Sequence, residues 1–312
     1  TLHGCGSILD GETMSISPHM ESTASPSEGF MEAETYDEIR DCMLSLILEH
    51  KPENTFRVNI SYEGDVQSDI DRACYEIPRD DPVGAYAVSE MVGTVKQIIS
   101  YYEVVLSIAY TDVTKEQLEN IVTVSTLRDL DQLLLSELGE YAPSFTALVY
   151  GIDMTEKDAK DSVTRLYYEN PGDIFMLPIT TVDFYPKYGS DRILEYTFGY
   201  RYEASTLQEM EQLLKDAVLD MAESAAGDDG ILVLLTLAQR LMDSAVYDEE
   251  TAAGGDYSNQ NVSATAYSAL ISGLAKGGQA YSRVMQVPVL PSRASMALYS
   301  ELIMAFLPGK AL

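Results

Sequence analysis

The middle of this chain is written twice, and that repetition constrains the fold more than any other feature. Thr35-Tyr-Asp-Glu-Ile-Arg-Asp-Cys-Met-Leu-Ser aligns with Thr126-Leu-Arg-Asp-Leu-Asp-Gln-Leu-Leu-Leu-Ser. Each stretch opens with a threonine suited to an N-cap and then places apolar residues at helical spacing. A short strand follows in both, Thr55–Tyr62 and Ser144–Tyr150. Second helices come next, Asp65–Glu76 and Thr155–Glu169, with similar ends: Arg72-Ala-Cys-Tyr-Glu-Ile-Pro and Arg165-Leu-Tyr-Tyr-Glu-Asn-Pro. Proline has no N–H and clashes with the preceding turn, so Pro78 and Pro171 read as helix stops. Each copy closes on β-rich sequence. In the first it is Val95–Tyr110; in the second, Thr180–Tyr185 and Arg192–Tyr202 flank Pro186-Lys-Tyr-Gly-Ser-Asp, a hairpin turn. The interval from Thr35 to Thr126 is too long for a solenoid repeat and suits a small unit of order αβαββ, present twice. The fold class is therefore α+β, with modules at 35–120 and 121–204 and a mainly helical segment at 205–312.

Composition narrows the partners. At 312 residues the chain exceeds one small core, and 46% hydrophobic with 22% charged residues is globular composition. Twenty Lys and Arg against 50 Asp and Glu leave a net charge of −30. Such a surface repels phosphate backbones, which excludes nucleic acid, and it disfavours anionic headgroups unless a covalent anchor holds the chain there. The histidines are His3, His19 and His50, and the cysteines are Cys5, Cys42 and Cys74. Everything after residue 74 thus lacks the parts for thiol–imidazole or Ser–His catalysis and for most zinc sites. With no phosphate-cradling glycine motif and no EF-hand loop, no cofactor and no metal are expected. The longest strongly apolar stretch, Ile231–Ala238, falls far short of the roughly 20 residues that a bilayer span needs.

Cys42 and Cys74 occupy apolar positions of amphipathic helical patterns, where a free thiol acts as a small hydrophobe. A Cys42–Cys74 bridge is the alternative, in an oxidising compartment. Many of the 21 tyrosines lie in the strand segments, among them Tyr101, Tyr102, Tyr110, Tyr185, Tyr196, Tyr200 and Tyr202. Such a stripe suits a half-buried sheet face, with a ligand platform as the second reading. Asp183 and Glu195 are strand carboxylates, a pattern more often solvated than hydrolytic.

The chain opens Thr1-Leu-His-Gly-Cys-Gly-Ser. Leu-x-Gly-Cys followed by Gly-Ser resembles the lipobox of bacterial lipoproteins, in which cleavage before a cysteine precedes its lipidation. The resemblance implies a lipid anchor on Cys5 and a place on the outer face of a bacterial membrane. Residues 6–34 are rich in Ser, Gly, Pro, Glu and Thr without apolar periodicity, so 1–34 reads as an anchor followed by a solvated tether.

In the last third, Ser205-Thr-Leu-Gln208 has capping-box spacing, and Leu207, Met210, Leu213, Leu214, Ala217 and Met221 form an apolar stripe. A more apolar helix is expected from Ile231 to Ala245. Then comes Ala264-Thr-Ala-Tyr-Ser-Ala-Leu-Ile-Ser-Gly-Leu-Ala-Lys-Gly-Gly-Gln-Ala-Tyr-Ser-Arg-Val-Met285. Thr265, Ala266, Tyr267, Gly273, Gly278 and Tyr281 of this run resemble the nucleophile region of bacterial transglutaminase-like (papain-like) domains. The resemblance implies a cysteine opening the second helix, but that position falls at Lys276 or Gly277. The histidine-bearing strands of the family are missing as well. The sequence thus reads as an envelope-anchored, non-catalytic binding or scaffolding lipoprotein with a degenerate, incomplete transglutaminase-like domain. Peptide or cell-wall polymer is the expected ligand. A truncated or frame-shifted copy of an extracytoplasmic cysteine hydrolase or transamidase is the alternative.

Overall fold

The computed structural model describes residues 31–170 and 173–224 and, between 232 and 275, residues 232, 236, 239–240, 243, 246–249, 262 and 265–275. The architecture is α+β, with two four-stranded mixed sheets. Packing groups the described residues into two units. The first runs to Leu127 and adds Thr146–Met154 and Asp183–Glu195; the second holds Arg128–Phe145, Thr155–Val182 and the described residues from Tyr196 onward. These groupings run across the segment limits read from the sequence, 35–120, 121–204 and 205–312.

In the first sheet the strands are β1 (Glu32–Ala33), β2 (Glu53–Asn59), β3 (Val88–Gln97) and β4 (Tyr101–Tyr110), in the order β1-β2-β4-β3. β1 pairs parallel with β2, and β4 pairs antiparallel with both β2 and β3. The end of the expected tether is therefore structured. Ala33 is fully buried, and Arg57 N–H donates to Met31 O at 2.9 Å. A two-residue strand has no periodicity to betray it. A short leading strand occurs in the second sheet too, where β5 (Val122–Val124) pairs parallel with β6 (Ser144–Val149). The expected order αβαββ is thus corrected to βαβααββ in the first half, where Pro82–Ala87 adds a short helix, and to βαβαββ in the second.

Helix α1 (Tyr36–Leu48) starts as the sequence indicates. Thr35 accepts from Glu38 N–H while the Glu38 side chain accepts from Thr35 N–H, a closed capping box. Its inner residues Ile39, Met43 and Ile47, spaced four apart, are fully buried. They join Phe56, Val58, Val104 and Leu106 of the sheet and Ile70, Ala73 and Ile77 of α2 (Val66–Asp80) in one core.

Pro78 does not stop α2, which runs on to Asp80. The proline sits in the last turn, so its missing N–H costs one intrahelical bond, that to the Cys74 carbonyl. Burial of Ile77 and a bond from Asp81 N–H to Ile77 O at 3.3 Å carry the helix past it. Asp81 then serves α3 (Pro82–Ala87) as N-cap, its carboxylate accepting from Val83 N–H and Gly84 N–H at 2.9 and 3.0 Å. Burial pushes this carboxyl up, partly offset by those two bonds.

Strand β3 begins at Val88, well before the expected Val95. A register shift between Val88 and Glu90 breaks the alternation that would have marked it. After a short helix α4 (Lys115–Glu119), the second sheet has the order β5-β6-β8-β7, with β7 at Ile179–Tyr185 and β8 at Arg192–Gly199. The 186–191 turn lies between β7 and β8, as read from the sequence.

In the second unit, α5 (Leu127–Gly139) buries Leu130, Leu134 and Leu138, one per turn. Helix α6 (Glu156–Glu169) is capped reciprocally by Thr155 and Asp158, and Arg165 holds Asp131 through two bonds of 2.6 and 2.7 Å. Helix α7 (Ala204–Ser224) begins one residue before Ser205, which therefore lies inside the first turn rather than capping it. Its inner stripe keeps Leu207 and Leu214 and adds Val218, whereas Leu213 faces solvent.

Candidate binding groove between α2 and β3

α2 and β3 meet at a glycine. A methyl group on Gly93 would lie 2.2 Å from Ile70 Cγ2, so only hydrogen at this position lets the helix sit against the strand. At this closeness α2 reaches the strand's outer edge. The Gln67 amide donates to Gly93 O at 3.2 Å and accepts from Val95 N–H at 3.0 Å, standing where a neighbouring strand would pair. Gly93 N–H is directed at the Cys74 sulfur. One turn further along the helix this seal ends, and a groove of about 300 Å³ opens.

Asp71, Cys74, Tyr75, Pro78 and Arg79 of α2 form one wall, and Ser89 to Gly93 of β3 form the other. Backbone polarity follows from register. Gly93 and Val95 present their polar groups outward, and Ile108 N–H, opposite Met91, bonds to Pro52 O on its far side at 2.8 Å. Met91 N–H and C=O therefore also face away from β4, towards the groove. On the helix wall, Pro78 has no N–H to give the Cys74 carbonyl. The rim is apolar at two points, Tyr75 at 62% and Val92 at 52% exposure. Arg79 lies over the Tyr75 ring, 3.9 Å from its centre, and donates to Tyr75 O at 2.7 Å. Asp71 accepts from Gln67 at 2.8 Å, and both Asp71 and Glu90 are exposed. Burial, reinforced by the Asp71 carboxylate, pushes the Cys74 thiol up to about 11, against the opposing Gly93 N–H. That raises the thiol away from nucleophilic use at neutral pH.

The other residues singled out in the sequence disperse. Cys42 is buried in α1, where burial, then Asp41 and Glu38, push its thiol up to about 12. Both Cys42 and Cys74 are free, so the disulfide alternative is not formed. His50 lies just past the C-cap of α1. It is half-buried at φ 56°, stacked 4.0 Å from the Tyr110 ring, with Nε2 2.8 Å from Val113 O. Glu195 accepts from Tyr86 OH at 3.1 Å and Tyr185 OH at 3.4 Å, while Asp183 is exposed. The strand tyrosines serve separate packing sites: Tyr101 lies beneath Arg57, Tyr110 against His50, and Tyr196 against Phe145. In the C-terminal segment, Thr265 and Ala266 are buried, Tyr267 meets Phe175 edge-on at 6.1 Å, and Gly273 takes φ 65° after the π-helical turn Ser268–Ser272. Lys276, Gly277, Gly278 and Tyr281, like Cys5, His3 and His19, lie outside the described residues.

Sequence reasoning missed the groove because it ended α2 at Glu76 and began the strand at Val95. Asp81-Pro82, an N-cap and N1 pair, was the available signal that chain beyond Pro78 is helical. Comparison with protein-family models, curated protein sequences and solved structures gives no match for this chain.

Proposed function

We propose that this chain is a non-catalytic binding protein that takes an extended peptide into the groove between α2 and β3. The observation that carries this reading is the groove itself, with a backbone donor and acceptor of Met91 at its floor and exposed Tyr75 and Val92 on its rim. An extended peptide offers the complementary pair of backbone groups and side chains to rest on the apolar rim. Anchoring at the cell envelope through lipid on Cys5 belongs to the same proposal and is supported by the lipobox-like start and the polar residues after it. The C-terminal segment is read as a degenerate transglutaminase-like domain on the likeness at Thr265, Ala266, Tyr267 and Gly273. The two halves are read as copies of one module, supported by their matching strand orders, β1-β2-β4-β3 and β5-β6-β8-β7, and their shared leading parallel strand.

Amide-shift mapping of the full chain tests the binding reading, with a blocked hexapeptide of alternating valine and threonine as probe. Shifts at Ser89–Gly93 together with Cys74–Arg79, weakened by Tyr75→Ala, are expected. A saturating titration with no change in these amides refutes it.

A further inference from the structure

We propose that the α2/β3 groove selects a cationic extended peptide, one carrying a lysine or arginine beside the residue that pairs with Met91; this rests on the peptide-binding reading above. The groove is rich in acceptors. Asp71 on the helix wall and Glu90 on the strand wall bring two exposed carboxylates to a single cleft. The Cys74 carbonyl adds a third acceptor, because Pro78, four residues on in the same wall, has no N–H to occupy it. The lone cation of the lining, Arg79, is already committed to the Tyr75 ring and the Tyr75 carbonyl. An incoming ammonium or guanidinium therefore meets acceptors without a competing side chain.

The surroundings act in the same direction. A chain of net charge −30 attracts cationic ligands and repels anionic ones before contact, and a cleft concentrates that field. Backbone pairing at Met91 supplies register without sequence preference, and the carboxylates supply the preference. Gln67 limits the length of the site. By holding Gly93 O and Val95 N–H it closes the edge beyond Gly93, so the peptide pairs over the Ser89–Met91 stretch alone. The ligand is thus a short cationic strand and not a full added β-strand.

The test titrates the full chain with three blocked heptapeptides, Thr-Val-X-Val-X-Val-Thr, where X is Lys, Gln or Glu, followed by amide shifts and fluorescence anisotropy. Two exposed ion pairs predict roughly tenfold tighter binding of the Lys peptide than of the Gln peptide at low salt, with the Glu peptide weakest. The preference should fall as salt shortens the screening length, and Asp71→Asn with Glu90→Gln should abolish it. Both positions are exposed, so these variants fold. Equal binding of the Lys and Gln peptides, or a preference that survives the double variant, overturns the cationic selection and leaves peptide binding standing. No shift at Met91 with any of the three overturns the underlying reading too. Concentration-dependent shifts at Met91 before peptide is added assign the groove to a second copy of the chain and likewise overturn it.

Discussion

Replacing Gly93 with alanine tests the contact on which the groove depends. The added methyl would stand 2.2 Å from Ile70 Cγ2, while carbon atoms in contact sit about 3.5–4.0 Å apart. Ile70 is fully buried and β-branched, so it cannot swing aside, and α2 must retreat by about 1.5 Å. Overpacking of this kind costs about 1–3 kcal/mol. The retreat also stretches the two Gln67 bonds to β3, each contributing about 1 kcal/mol. Gly93→Ala should therefore destabilise the first unit by about 2–4 kcal/mol. Urea unfolding, with hydrogen exchange at the Ile70 and Leu106 amides to localise the loss, measures it. Ile70→Ala alone leaves a cavity and costs about 2–5 kcal/mol. Combined with Gly93→Ala, the new methyl enters the vacated space, and the pair should cost about 1–3 kcal/mol less than the sum. Gly151→Ala is the control: its new methyl meets nothing within 4 Å, and only the φ of 65° opposes it. A Gly93→Ala protein within 0.5 kcal/mol of the parent, or strict additivity with Ile70→Ala, would refute the argument.

Cys42 makes stability fall in alkali: because burial raises its thiol from 9.0 to about 12, its contribution is full below pH 9 and is lost as pH rises towards 12. Cys42→Ala should flatten the unfolding free energy above pH 9 by about 1.4 kcal/mol per pH unit, and an unchanged slope would count against the burial assigned to this thiol. Thr155→Ala removes the hydroxyl arm of the α6 capping box, which accepts from Asp158 N–H, leaves the Thr155 N–H bond to the Asp158 carboxylate, and should cost about 1 kcal/mol in urea unfolding; Thr155→Ser should restore most of it.

What the sequence disclosed was whatever short-range chemistry settles. The start of α1 was legible because Thr35, a residue suited to an N-cap, stands just before apolar residues at helical spacing. The turn at 186–191 was legible because proline and glycine punctuate it between alternating strands. Where tertiary packing decided, reading failed. The leading strands β1 and β5 hold two and three residues and exist only by pairing with β2 and β6. Pro78 looked like a stop because its local cost is visible in sequence, whereas burial of Ile77 against the core is not. The half-buried stacking of His50 depends on Tyr110, 60 residues downstream, and no local pattern announces it.

The groove has the same origin as those failures, which is why no motif marks it. Gly93 lets the helix approach, the shift between Val88 and Glu90 turns the strand's first residues, and Pro78 leaves an acceptor on the wall. Each of the three is a local irregularity, and together they face one cleft. The second half does not repeat them. Its edge strand β7 has seven residues where β3 has ten, and α6 ends at Glu169 on an Asn170 cap, before the proline at 171. The second helix of the first half instead runs through its proline, and Cys74 and Tyr75, which line the cleft, correspond to Tyr167 and Tyr168 in the aligned helix ends. Tyr167 is buried there, and Tyr168 stacks edge-on against it at 5.2 Å. If the halves are copies of one module, the irregularities that shape the cleft belong to one copy alone. Binding is then a property acquired by the first half, and substitutions of Tyr167 or Tyr168 should leave peptide affinity untouched while Tyr75→Ala lowers it.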